Sequence, residues 1–171
     1  MFEPLLAAAL IHGCVVEKVH DGDTLTAFCP REGKLKVRLY CIDAPELAQS
    51  PWGQEAREAL ERLVGRQVSI EPVVRDHYGR TVAVLRNHRF PNINLEMVEG
   101  GWAAVYRRYC RDQAFYRAEA KARRLKRGIW QRSGLHQKPW EYRRRKRLAR
   151  EESRWEKLFK TLREWLHDLF R

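Results

Sequence analysis

The apolar and polar residues of the first half of the chain follow a two-residue period in short runs. Val37, Leu39 and Cys41 alternate with Arg38, Tyr40 and Ile42, which predicts a strand over 35–42 that Pro45 stops. Shorter β-prone runs at 15–19 and 25–29 flank Asp21-Gly22-Asp23, a hairpin signal. Two further strands are predicted at 68–74 and 81–85, the second after a tight turn at Tyr78-Gly79. Between the third and fourth strands the period lengthens. Ala56, Ala59, Leu60 and Leu63 fall on one stripe and predict a helix over 50–63, with Ser50 as its cap and Pro51 in its first turn. Residues 92–99 predict a short helix through Ile93, Leu95, Met97 and Val98, ended by Gly100-Gly101. Residues 112–127 predict a longer one capped by Asp112 and closed at Gly128. After breaks at Ser133-Gly134 and Pro139, a long helix is predicted over 140–170. There Trp155, Leu158, Phe159, Leu162, Trp165, Leu166, Leu169 and Phe170 form an amphipathic stripe. No internal repeat occurs.

Five short strands with a helix between the third and fourth is the element order of an OB-fold. The predicted class is α+β: a five-stranded OB-fold β-barrel with three helices, plus a long basic C-terminal helix. The predicted division is an N-terminal segment over 1–12, a domain over 13–133 and a helical extension over 134–171. The length of 171 residues suits one core with an appendage. With 44% hydrophobic and 33% charged residues, the chain is neither disordered nor collagenous nor a coiled-coil rod. Its longest apolar run, at 4–11, is far below the roughly 20 residues that span a bilayer.

Charge and cysteines refine that picture. The net charge is +12, and residues 131–171 supply +7 of it from 13 basic and 6 acidic residues. Such a chain favours polyanions, either nucleic acid or an anionic membrane surface. The four cysteines contain no C-x-x-C pair, so a zinc ribbon is not indicated. Cys14 lies eight residues before Gly22 and Cys29 seven after it, so a hairpin sets them roughly opposite. They are either two buried thiols or a disulfide, and a disulfide implies an oxidising compartment. Cys41 and Cys110 are expected in or near the core. Glu3 and the lack of a basic n-region do not read as a secretory leader. A cytoplasmic location follows by default, and an extracytoplasmic one if the bridge forms or a leader is missing.

Three clusters bear on chemistry: Asp21-Gly22-Asp23-Thr24, Arg38 through Asp43-Ala44-Pro45-Glu46, and Asp76-His77-Tyr78-Gly79-Arg80. Taken singly, each has an ordinary structural role: a hairpin turn, an exposed strand arginine followed by a polar turn, and a β-turn. Together they place two carboxylates at the ends of adjacent strands, a third carboxylate three residues on, and two arginines on neighbouring strands. Phosphodiester cleavage needs this set. A hard cation takes oxygen ligands, a water needs a base, and guanidinium forks stabilise the charge that develops on phosphorus-bound oxygens.

In order and spacing these motifs resemble the staphylococcal (thermonuclease) nuclease family. So does Glu119-Ala-x-Ala-Arg-Arg-x-x-x-Gly128-Ile-Trp130, which resembles that family's last helix. The resemblance covers about residues 13–132. It implies that Asp23, Asp43 and the backbone carbonyl of Ala44 ligate Ca²⁺, with Asp21 behind them holding metal-bound water. It implies that Glu46 orients or deprotonates the attacking water, and that Arg38 and Arg80 bind the scissile phosphate. Tyr78 lies along the nucleotide, with His77 beside it. The implied reaction is hydrolysis of DNA and RNA at P–O5′, leaving 3′-phosphate ends. Three positions depart from the family. Ala44 stands where threonine is frequent, His77 where the best-studied member has a lysine, and Arg107 about where that member stacks a tyrosine on a base.

Two other readings stay open. One is a non-catalytic OB-fold module that binds nucleic acid; degenerate members of the family lack some of these acids or arginines, and this chain lacks none. The other rests on the tail: a membrane-associated or partner-associated protein. For the helix itself the readings are packing on the barrel, attachment to an anionic membrane surface, or self-association. The basic run at 143–147 adds salt-sensitive phosphate contacts or is a solvated face.

Overall fold

The computed structural model describes the backbone of residues 3–4 and 9–169 and the side chains of 9–165. Its strands are β1 (Glu3–Pro4), β2 (Ile11–Val19), β3 (Thr24–Cys29), β4 (Gly33–Leu39), β5 (Ile42–Asp43), β6 (Gln67–Arg75), β7 (Thr81–Arg86) and β8 (Ala104–Val105). Its helices are α1 (Trp52–Val64), α2 (Ile93–Glu99), α3 (Gln113–Arg124) and α4 (Pro139–Leu169). The large sheet runs β1-β6-β2-β3-β4-β7, and pairing of β6 with β7 closes it. The strands β2, β3, β4, β6 and β7 thus make the expected five-stranded barrel. Neighbours pair antiparallel except β4 with β7, which are parallel.

Alternation decides what fills the barrel. Leu25, Ala27, Val37, Ile70, Ala83 and Leu85 are fully buried along its strands. Burying each Leu or Ile contributes about 1.5–3 kcal/mol. Helix α1 lays Ala56, Ala59 and Leu60 against this core, and Ile93, Met97 and Phe115 bring in α2 and α3. Asn94, wholly buried, joins three elements. Its Oδ1 accepts from Leu85 N at 3.1 Å, and its Nδ2 donates to Tyr40 O at 3.0 Å and Ala83 O at 2.9 Å.

Several expectations need correction. The strand predicted over 35–42 stops at Leu39, because Tyr40 turns its carbonyl to Asn94 and Cys41 takes a left-handed φ of 69°. The chain resumes as β5, paired with β8. Ser50 does not cap α1. The cap position is Pro51, which has no side-chain cap bond, after a cis Ser50–Pro51 peptide. Strand β2 begins at Ile11, inside the expected N-terminal segment, and Glu3–Pro4 pairs with β6. Helix α3 ends at Arg124, before the expected Arg127. Asp112 caps it through Ala114 N at 2.8 Å, and Asn92 caps α2 through Leu95 N at 3.0 Å.

All four cysteines are bridged. Cys14–Cys29 joins opposed positions of the β2–β3 hairpin, with Cα atoms 4.2 Å apart. Cys41 and Cys110, expected only as core residues, form a second disulfide across 69 residues of chain.

Residues 1–139 form one compact unit and 140–171 a second. The short turn Leu135–Gln137 belongs to the first, where His136 stacks on Trp52 at 4.7 Å. In the second, Trp155, Leu158, Phe159, Leu162 and Trp165 are about half exposed. The remaining stripe members, Leu166, Leu169 and Phe170, lie outside the described side chains. Among the described residues, no helix is long and apolar enough to cross a membrane.

Candidate active site

The site begins at the β2–β3 loop. His20 N donates to Thr24 O at 2.9 Å, and Asp21 Oδ1 accepts from Asp23 N at 3.0 Å, closing an Asx turn. Gly22 is required here by space rather than by backbone angle. A Cβ on it would lie 2.6 Å from both the Ala44 and the Ala56 Cβ atoms. The missing side chain lets the acid loop rest directly on α1 and on the segment after β5.

That close approach brings two acids to one guanidinium. Arg38, opposite Thr24 in the β3–β4 ladder, has a side chain only 12% exposed. Its Nη1 lies 2.7 Å from Asp23 Oδ2 as an ion pair, and its Nη2 donates to Asp43 Oδ1 at 2.9 Å. Asp23 Oδ2 also accepts from Ala44 N at 2.8 Å, and its Oδ1 accepts from the Thr24 hydroxyl at 3.0 Å. Asp43 is wholly buried. Burial, and then the charge of Asp23 beside it, raises the Asp21 carboxyl to a pKa of about 7. Three carboxylates therefore face one buried cation.

Glu46 enters from the turn after β5 and is half-buried. Its backbone is held on both sides by Gln49: Glu46 N donates to Gln49 Oε1 at 2.9 Å, and Gln49 N donates to Glu46 O at 2.8 Å. Gly53, in the first turn of α1, packs so closely on Glu46 that a Cβ there would meet its carbonyl oxygen at 2.1 Å.

Arg80 sits elsewhere on the rim. Arg38 pairs with Val82 of β7, and Arg80 lies just ahead of that strand, two residues before Val82. Its Nε donates to Asp76 Oδ2 at 2.7 Å and its backbone N to Asp76 Oδ1 at 2.9 Å. Asp76 is pushed up by burial, but hydrogen bonds from Arg80 and Tyr78 and the Arg80 charge outweigh this and lower its pKa. Gly79, at φ 77°, closes the turn. Tyr78 is 74% exposed, its ring 3.8 Å from that of His77 and 5.5 Å from the Arg80 guanidinium.

The structure thus gathers Asp21, Asp23, Arg38, Asp43 and Ala44, and sets Arg80, His77 and Tyr78 on one adjoining turn. Among the described residues Arg80 pairs with Asp76 rather than with Asp23 or Asp43. Arg107 is engaged too: Nη2 donates to Glu119 Oε2 at 2.9 Å while the guanidinium lies over the Tyr116 ring. Sequence reasoning named Thr24 and Asp76 within its motifs but gave them no role, and it missed Gln49 as a supporting residue. An Asx-turn signal was available for Asp76; nothing local marks Gln49.

Among the described residues no group of three or more His, Cys, Asp or Glu side chains is arranged as a metal cage. The two acids that share Arg38, Asp23 and Asp43, are nevertheless oxygen donors of the kind a hard cation takes, and their combined charge exceeds that of Arg38. An OB-type barrel with such a rim defines a site suited to phosphodiester chemistry.

The comparisons with known proteins agree. The family model for staphylococcal nuclease homologues matches residues 36–132. An uncharacterized endonuclease of Haemophilus influenzae is 40% identical over 68% of this chain and 65% of its own length. A micrococcal nuclease of Shigella flexneri is 37% identical over 78% of this chain and 82% of its own length. A probable staphylococcal-like nuclease of Oryza sativa is 38% identical over 70% of this chain but only 32% of its own length. The chain belongs to the staphylococcal nuclease homologue family, and its barrel is a nuclease domain, a hydrolase by class.

Proposed function

We propose that the protein is a Ca²⁺-dependent nuclease that hydrolyses DNA and RNA at P–O5′ and leaves 3′-phosphate ends. The observation that carries this reading is the Arg38 guanidinium held between Asp23 and Asp43 beside the Ala44 segment. Asp23, Asp43 and the Ala44 carbonyl would hold the cation, with Asp21 behind them. When bound, the cation supplies Lewis-acid polarisation of a phosphate oxygen and charge to offset the acids. The chain's own residues do the rest. Glu46 orients a water and takes its proton as the water oxygen bonds to phosphorus in line with the departing O5′. The P–O5′ bond breaks, the departing O5′ takes a proton from solvent water and leaves as a hydroxyl, and Glu46 returns its proton to solvent. Arg38 and Arg80 present planar forks to the equatorial oxygens, where charge builds up. Tyr78 and His77 line the nucleotide.

Digestion of denatured DNA with Ca²⁺, against a chelator control, tests the reading. Cleavage products carrying 3′-phosphates are expected. Binding without cleavage under any divalent ion would overturn it in favour of a non-catalytic module.

We also propose that the protein works in an oxidising compartment, because all four cysteines are paired. Thiol titration of native, unreduced protein should find none free; four free thiols would refute this.

A further inference from the structure

We infer that the N-terminal half of α4 is a second nucleic-acid contact, a cationic stripe that binds the sugar–phosphate backbone through residues other than those of the cleavage site. The inference rests on the nuclease reading and deepens it. At 100° per residue, positions 143, 146, 147, 150, 154 and 157 fall within an arc of about 100° on the helix surface, and no other position from 143 to 157 does. All six are basic: Arg143, Lys146, Arg147, Arg150, Arg154 and Lys157. The acids of this stretch, Glu151, Glu152 and Glu156, lie outside the arc. Lys146, Arg147, Arg150, Arg154 and Lys157 are exposed. The stripe runs about 21 Å along the helix, at a rise of about 1.5 Å per residue.

A continuous row of cations with no interposed acid matches a continuous row of phosphates, and the substrate of the proposed reaction is one. Lipid fits this half of the helix less well. The positions that continue the Trp155–Trp165 stripe backwards are Arg144, Leu148 and Glu151, so the basic stretch has no apolar side to bury. The contact is sequence-independent and salt-sensitive. It holds the chain on a long polynucleotide and raises the concentration of phosphodiester bonds near the barrel.

The test uses the full-length protein in chelator with a fluorescein-labelled oligothymidylate, measuring binding by anisotropy across a salt titration. Replacing Arg150→Gln with Arg154→Gln should lower the slope of log K against log salt by about 1.4, at roughly 0.7 per single-strand phosphate contact. The pair Arg145→Gln with Arg163→Gln removes the same charge from another face and should leave the slope unchanged. Equal effects of the two pairs, or no effect of the first, would overturn the inference. So would weakened sedimentation of the first pair with phosphatidylglycerol vesicles while oligothymidylate binding stays intact. Cleavage of denatured DNA in Ca²⁺, run alongside, reads the nuclease assignment separately, since the anisotropy measurement needs no turnover.

Discussion

Arg38 carries two burdens at the scale of single residues. Its guanidinium is the counter-charge for Asp23 and Asp43, and it is the fork proposed to meet the phosphate. Arg38→Ala should therefore cost both: about 10²–10³ in rate for the lost donor and about 3–5 kcal/mol of stability for the stranded buried acids. Arg38→Lys keeps the charge and loses the planar fork, so its melting temperature should recover while cleavage does not. Glu46→Gln should lower kcat by a comparable factor with an unchanged melting temperature. Steady-state kinetics beside calorimetry separates these outcomes; a rate loss below tenfold for Glu46→Gln argues against its role. Gly22 acts purely through space. Gly22→Ala pushes a methyl against Ala44 and Ala56, neither of which has a flexible end to yield, and overpacking of this kind costs about 1–3 kcal/mol. Its acid loop must shift, so cleavage should fall further than stability.

At the scale of elements, the Asp76–Arg80 turn has a pH dependence of defined sign. The Asp76 carboxyl has a lowered pKa in the folded state, so its stabilisation is fully present above the unfolded value of 3.8 and is lost as pH falls through the folded value. Protection of the Tyr78 and Arg80 amides, taken relative to the intrinsic exchange rate at each pH, should fall below pH 3.8 before the barrel melts, and Asp76→Asn should weaken that protection at all pH values. Protection that stays constant on acidification would contradict the proposed coupling. The same scale shows where local pattern reading succeeds. The alternation in β3, β4 and β7 and the stripe of α1 were legible, because one side of each element must be apolar to face a core. The stop at Leu39 was not legible: it depends on Asn94, more than fifty residues away, accepting and donating to strands that only the fold brings near it. The Ser50 cap failed for a similar reason. A capping residue competes locally, and here packing of the Glu46–Gln49 turn on Gly53 sets where the helix starts.

At the scale of the whole molecule, the two disulfides act on different lengths of chain. Cys41–Cys110 lies beside Asp43 and closes the longer loop, and chain entropy assigns it about 4 kcal/mol against about 3 for Cys14–Cys29. Selective loss through Cys110→Ser with Cys41→Ser should lower the melting temperature more than the Cys14/Cys29 pair of replacements. It should also reduce cleavage, since Tyr106 N donates to Cys41 O in the segment that leads to Asp43. Calorimetry and rates on both double variants check the ranking. Hairpin spacing set Cys14 opposite Cys29 without deciding whether they bridge, whereas Cys41 and Cys110 stand in elements whose contact no local rule foretells.

By itself, the sequence determined the barrel class and the order of the five barrel strands and the helices, and it named candidate acids and arginines, because periodicity, turn chemistry and motif spacing are all local. Tertiary structure alone decided which groups share a charge: Arg38 with Asp23 and Asp43, Arg80 with Asp76, Arg107 with Glu119. Ion pairs and buried hydrogen bonds depend on distances of a few ångströms between side chains remote in sequence. Those distances exist only after the barrel has closed and Gly22 has let the acid loop settle against Ala44 and Ala56.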